Sequence, residues 1–319
     1  MSRHTLLAPV LLCLMLPICA NTAFARTPQV VADIPAVGSL VEQVMGDIGT
    51  PKVLLTAGAD AHSFQLRPTQ AADLAGADLV FWVGPGLTPW LERAIEGVGL
   101  RGEAVALLAS DGVHLRGFDG DSHGQDDAHD HAHSHAQHGD EHPGEGVDPH
   151  AWLDPANAAV WVDVIAAHLS ETDPEHAAAY AANAAAAKAR IAAMDAEIAT
   201  TLAGLGAVPL IVFHDAYGYF ADHFGLTIAG AITLGDAARP GAARIAAIRE
   251  VLIETGARCI FPEAQHDPAL VQAVAEGTGA TIAAPLDPTG SALGFGPDHY
   301  GDLMRGLAET IARCARPAI

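Results

Sequence analysis

Twice along this chain, short runs of apolar and β-branched residues alternate with helical patterns, and one alanine-rich stretch separates the two series. The first series reads QVVADI, a helix over 37–48, KVLLTA, a helix over 69–75, DLVFWVG, a helix over 89–96, and AVALLA. The second reads VPLIVFH, a helix, LTIAGAI, a helix over 239–255, RCIFPEA, a helix over 268–276, TIAAPLD, and a final helix from about His299. Such alternation builds βαβ units around a mainly parallel sheet, so the chain is expected to be α/β with two similar lobes. The separator, DPEHAAAYAANAAAAKARIAAMDAEIATTLAGLG, starts with a capping Asp173 and Pro174 at the first helical position, and its alanines favour helix up to Gly204. About 30 residues at 1.5 Å each span roughly 45 Å, long for one globular layer, and the stretch reads as a spine between the lobes. The expected division is an N-terminal lobe over 26–172, a linking helix over 173–203 and a C-terminal lobe over 204–319.

Residues 1–25 are expected to leave the mature protein. MSRHTLLAPVLLCLMLPICANTAFA has one Arg, an apolar run over 6–20 and an A-x-A arrangement before Arg26, the anatomy of a secretory signal. The run is shorter than the roughly 20 residues a spanning helix needs. Lipid attachment at Cys19 is the rival reading, disfavoured by Ile18 where a small residue would be expected.

Of the four cysteines, Cys259 and Cys314 then remain. In an oxidising compartment they read as one disulfide, with two buried free thiols as the alternative. Neither sits in a C-x-x-C pair, which argues against a thiolate zinc site. Removing one Arg and no acid leaves 15 basic against 38 acidic residues, a formal charge of −23. A field of that sign opposes nucleic acid and anionic membranes and concentrates cations. The mature length favours two domains over one.

In open α/β sheets ligands bind beyond the carboxyl ends of the strands, and a cleft between two lobes is the natural site. The strand ends here carry metal-type ligands. His62 follows KVLLTAG, His150 precedes a helix capped by Asp154 and Pro155, His214 ends VPLIVFH, Glu263 follows RCIFP, and Asp287 follows TIAAPL. Each alone is a weak signal, and Asp148, Asp154 and Asp287 each precede Pro and could simply start turns. Together, three imidazoles suit zinc, which prefers four ligands in a tetrahedron, with Asp287, Glu263 or a water as the fourth. An oxygen-rich set would suit manganese better.

HSFQLRP at His62, DPHAWLDP at His150, FHDAYGYF at His214, FPEAQ at Glu263 and LDPTG at Asp287, together with the alanine-rich spine and an acidic histidine tract, resemble the zinc-binding periplasmic solute-binding proteins of ABC importers, the ZnuA-like group. The resemblance runs from about residue 28 to the end. It implies two Rossmann-like lobes bridged by a long helix, a zinc site in the cleft and delivery of Zn2+ to a membrane permease. It also implies a periplasmic location, His62, His150 and His214 as ligands, Asp287 as the nearby carboxylate, and a Cys259–Cys314 disulfide, while Glu263 stands as a candidate either for the fourth ligand or for a place behind the ligands. In one respect the chain departs from some relatives: Ala61 stands immediately before the first histidine, with Asp60 one further back. A carboxylate ligand from that side is therefore not expected.

The tract over 119–147 holds His123, His129, His131, His133, His135, His138 and His142 among many acids. It has almost no apolar area with which to offset the entropy of ordering, and it reads as a secondary, exchangeable metal collector. The expected protein is a monomeric carrier and not an enzyme. Three protein ligands and a water also make a zinc hydrolase, but no H-E-x-x-H helix appears. An extracellular metal buffer or adhesin is the other alternative.

Overall fold

The computed structural model describes residues 26–118, 146–233 and 240–316. The expected signal segment 1–25 and the seven histidines of the 119–147 tract lie outside the described residues. In the first half, β1 (Val30–Ala32), β2 (Lys52–Val53), β3 (Leu79–Trp82) and β4 (Glu103–Ala106) alternate with α1 (Pro35–Met45), α2 (Pro68–Ala75) and α3 (Pro89–Val98). Next come α4 (Pro155–Thr172) and α5 (Ala177–Leu202). The second half places β5 (Pro209–His214), β6 (Thr227–Thr233), β7 (Cys259–Ile260) and β8 (Thr281–Ile282) among α6 (Gly218–Phe224), α7 (Ala242–Thr255) and α8 (Ala269–Ala275), and closes on α9 (His299–Ala315).

Both sheets are parallel and share one order, β2-β1-β3-β4 and β6-β5-β7-β8. In each, the chain leaves its first strand to one side and returns to the other, so the crevice of a doubly wound sheet opens beyond β1 and beyond β5. Strand alternation divides the core. Leu79 and Phe81 of β3, with Leu210 and Val212 of β5, face a large cluster that also holds residues of α1, α4, α5 and α9. Val80 and Trp82 turn to a smaller cluster with Trp90, and Ile211 and Phe213 to another with Ile248 and Val271. A shared helical layer therefore stands between the two sheets. Although α9 is the last of the described helices, it packs on α1 and α5, and Cys314 on it forms a disulfide with Cys259 of β7, Cα atoms 6.0 Å apart.

Two local expectations change. Several strands are shorter than the apolar runs that announced them, yet their hydrogen bonding continues: Leu54 and Leu55 still donate to Ala32 and Asp33, and Phe261 to Ile211. The linking helix also begins later than its proline suggested. Pro174–His176 form a 3-10 turn, because the Asp173 carboxylate binds the His176 ring at 2.7 Å and the Tyr180 hydroxyl at 2.9 Å instead of capping backbone N–H groups. No helix among the described residues is long and apolar enough to cross a membrane.

Helix α6 of the second half docks on the first half through charge. His223 lies between Asp154, which caps α4, and Asp195 of α5, at 2.9 and 2.8 Å. The Asp154 carboxylate raises the His223 pKa to about 9 against the opposing effect of burial, with Asp195 adding to it. A histidine whose folded pKa is raised stabilises fully below its unfolded value of about 6.5, and that stabilisation is lost as pH climbs through about 9. His223→Ala is expected to cost about 1–2 kcal/mol at pH 6 and close to nothing at pH 10. Urea unfolding at both pH values checks this; an equal cost at the two would refute it.

Candidate metal centre

His62, His150 and His214 converge on one pocket, each offering a ring nitrogen within 4.8 Å of the others. Among the described residues they are the one such group of three. Ring centroids lie 5.5 Å apart for His62 and His150, 6.3 Å for His62 and His214, and 5.2 Å for His150 and His214. His214 is the last residue of β5, at the crevice of the second sheet. His150 sits where the chain turns into α4. His62 rides on a loop beyond β2 that is held from three sides. Its own N–H donates to Asp60, Trp90 Nε1 donates to the Ala61 carbonyl at 2.7 Å, and Gly58 N–H donates to the Ser291 carbonyl of the second half.

Behind two of the rings stand buried carboxylates. Asp148 Oδ1 lies 2.7 Å from His150 Nδ1, and Glu263 Oε1 lies 2.6 Å from His214 Nδ1. An ionised carboxylate only accepts, so each Nδ1 carries the proton and each Nε2 presents a lone pair. Those two Nε2 atoms are 3.3 Å apart. Two lone pairs at that distance repel unless a cation lies between them. Ligands about 2.0–2.1 Å from a tetrahedral zinc are separated by roughly 3.3–3.4 Å, so the spacing matches one edge of that tetrahedron. Burial lowers the His150 pKa against the pull of Asp148, and the neighbouring His214 and His62 lower it further. These effects favour the neutral ring, which is the form that binds metal.

Asp287 is not brought into this group. Its Oδ1 accepts from Gln265 Nε2 at 2.6 Å and from Ser291 N–H at 3.0 Å, and its Oδ2 accepts from Ala292 N–H at 2.8 Å. Its carboxylate closes the turn over 287–292. Glu263, 3% exposed, is bound to His214 and to the Tyr217 hydroxyl at 2.8 Å. Asp60 lines the pocket but holds its own turn, accepting from His62 N–H and Ser63 Oγ.

Several partners escape sequence reading. Asp148 reads as a turn residue before Pro149. It is that too, since it accepts the His150 N–H at 3.0 Å, and the same oxygen then reaches the ring. The D-x-H spacing was a usable signal, because an Asp in such a turn lies within reach of the side chain two residues on. Tyr217, Gln265 and His266 also border the site, His266 stacked on Phe213 with centroids 4.4 Å apart. Nothing in their spacing announces this.

A chain from Paracoccus denitrificans (strain Pd 1222), named high-affinity zinc uptake system protein ZnuA, is 49% identical over 306 residues, covering 92% of this chain and 94% of that one. The protein of that name from Brucella abortus (strain 2308) is 37% identical over 315 residues, with 93% and 94% covered. Among solved structures, a crystal structure of ZnuA superposes with a TM-score of 0.72 at 24% identity, over 91% of this chain and all of that one. A zinc-bound ZnuA lacking residues 138–173 of its own chain gives 0.73 at 23%, over 92% of this chain and all of that one. At those identities the superpositions speak to the fold alone. The family model described as ZnuA, zinc-uptake complex component A, periplasmic, matches residues 30–314, and with nearly every described element inside that match the chain belongs to the ZnuA family.

Proposed function

We propose that this chain captures zinc in the periplasm on His62, His150 and His214 and delivers it to the membrane permease of an ABC-type importer. The observation that carries the reading is the meeting of three imidazoles from three distant segments, two of them with Nε2 atoms 3.3 Å apart and carboxylates behind them. A nitrogen-only set suits zinc better than manganese. With Asp287 and Glu263 occupied elsewhere, the fourth position falls to water, which leaves the metal reachable for surrender. Family membership supports the periplasmic address and the importer. The protein acts as a monomer, and the seven histidines over 119–147 serve as weaker, exchangeable collectors of metal.

Chelator-competition titration of the protein over 26–319 tests the capture step. One tight zinc site per chain is expected, and it should survive deletion of 121–145. Growth at limiting zinc tests delivery: a strain lacking the protein should recover with the parent chain but not with His214→Ala. Normal growth without either, in a strain with no second importer, would favour a metal buffer.

Glu263 is a further point of attack. Glu263→Gln removes the charge behind His214, and loss of such a partner weakens metal binding about 10–100-fold. Calorimetry on the folded variant checks this; unchanged affinity would refute the role.

A further inference from the structure

His150 and His214 reach the site from different halves of the chain, yet their ring nitrogens are 3.3 Å apart. Whatever ties the two segments together sets that distance. Arg116 touches both. Its Nη1 lies 3.6 Å from Asp148 Oδ2, and Asp148 is the carboxylate that holds the His150 ring. Its Nε donates to Asp222 Oδ2 at 2.9 Å, and its backbone N–H donates to the Tyr219 hydroxyl at 2.8 Å. Asp222 and Tyr219 belong to α6, which begins four residues after His214.

The local structure is shaped around this side chain. Gly218 opens α6, and a Cβ there would stand 2.3 Å from Arg116 Nη1. Only glycine lets the guanidinium lie across the first turn of the helix. On the other side, Asp148 N–H donates to the Arg116 carbonyl at 2.8 Å, and Gly117 pairs with Val147. The Arg116 side chain is 11% exposed and that of Asp148 0%, so salt screens their attraction little. Asp148 Oδ2 is buried and makes no hydrogen bond among the described residues, which leaves the Arg116 cation as the charge that compensates it. A planar guanidinium can address two carboxylates in different directions at once, whereas a lysine ammonium is a single point charge.

We infer that Arg116 is a positioning residue for metal capture: a fork that ties the carboxylate behind His150 to the helix behind His214 and so sets the spacing of the two imidazoles. The inference rests on the zinc reading above. It assigns Asp222 and Gly218 to the same device, the first as its anchor on α6 and the second as the space it needs.

The test compares Arg116→Met, Arg116→Lys and Asp222→Asn with Arg305→Met. The last breaks an exposed ion pair to Glu197 that is not part of the site. For each folded protein, zinc affinity is measured by chelator competition, the visible spectrum is recorded with cobalt(II) as probe, and metal-free thermal unfolding is followed. Arg116→Met is expected to raise the zinc Kd about tenfold and to shift the cobalt bands. Arg116→Lys and Asp222→Asn, which each leave half of the fork, should raise it about threefold. Arg305→Met should leave affinity and spectrum as in the parent. A folded Arg116→Met with a zinc Kd within twofold of the parent and the parent cobalt spectrum would overturn the inference. Should Arg116→Met not fold, Asp222→Asn decides in the same way, because Asp222 is 59% exposed and its change leaves the core intact. Failure of the zinc reading looks different: the parent itself would show no His214-dependent one-to-one zinc binding.

Discussion

Replacing His214 by Ala is expected to weaken zinc binding by about two orders of magnitude or more, with His62→Ala and His150→Ala close behind. Structural zinc sites contribute roughly 10–16 kcal/mol across four ligands, about 3 kcal/mol each, and 1.4 kcal/mol is tenfold in affinity. The three variants should differ in what else they disturb. His214→Ala strips Glu263 Oε1 of its 2.6 Å partner in a buried setting, where the Tyr217 hydroxyl still donates to it and His266 lies 3.7 Å from the other carboxylate oxygen. His150→Ala takes the ring from Asp148, whose Oδ1 keeps the backbone N–H of residue 150 and whose charge keeps Arg116. Taking one hydrogen-bond partner from a buried carboxylate costs about 1–3 kcal/mol, so both metal-free variants should unfold at lower urea than the parent. The loop bearing His62 keeps its Asp60, Trp90 and Ser291 hydrogen bonds after substitution, so His62→Ala should lose affinity with little loss of metal-free stability. Tight one-to-one binding that persists in all three would remove the basis for the assignment.

The disulfide supplies the largest expected change in stability. Cys259 and Cys314 are 55 residues apart, and closing a loop of that length in the unfolded chain corresponds to about 4 kcal/mol in the chain-entropy account. The bond joins β7 to α9, and α9 packs on α1 and α5, so the link ties the second sheet to the shared helical layer. The double variant Cys259→Ser with Cys314→Ser should lose several kcal/mol in urea unfolding while retaining its zinc site, since neither cysteine lines the pocket. Thiol titration of the denatured, unreduced protein over 26–319 should find essentially none. Two reactive thiols per chain, or a double variant as stable as the parent, would contradict this.

Much of this architecture was readable from local pattern. The β3 run DLVFWVG sends Leu79 and Phe81 to one cluster and Val80 and Trp82 to another, as period-2 alternation requires. Asp154 and Pro155 start α4 as their types predict, with the Asp154 side chain accepting the Ala156 N–H. Asp173 and Pro174 did not start α5 directly, because the Asp173 carboxylate was captured by His176 and Tyr180. Which acceptor a short polar side chain takes depends on what the fold brings near it, and helix propensity is silent on that.

The same division runs through the site. The sequence alone placed His62, His150 and His214 beyond strands or before a capped helix, because strand ends and caps are written in neighbouring residues. Only the tertiary structure decided which carboxylate serves which imidazole. Glu263 meets His214 across 49 residues, and Asp287 is drawn to Gln265, Ser291 and Ala292 by the closing of its own turn. Arg116 reaches Asp222 across 106 residues of chain. Hydrogen bonds and ion pairs act over about 3–4 Å. At that range a pairing between distant residues exists only once the two sheets and the helical layer between them have set the distances.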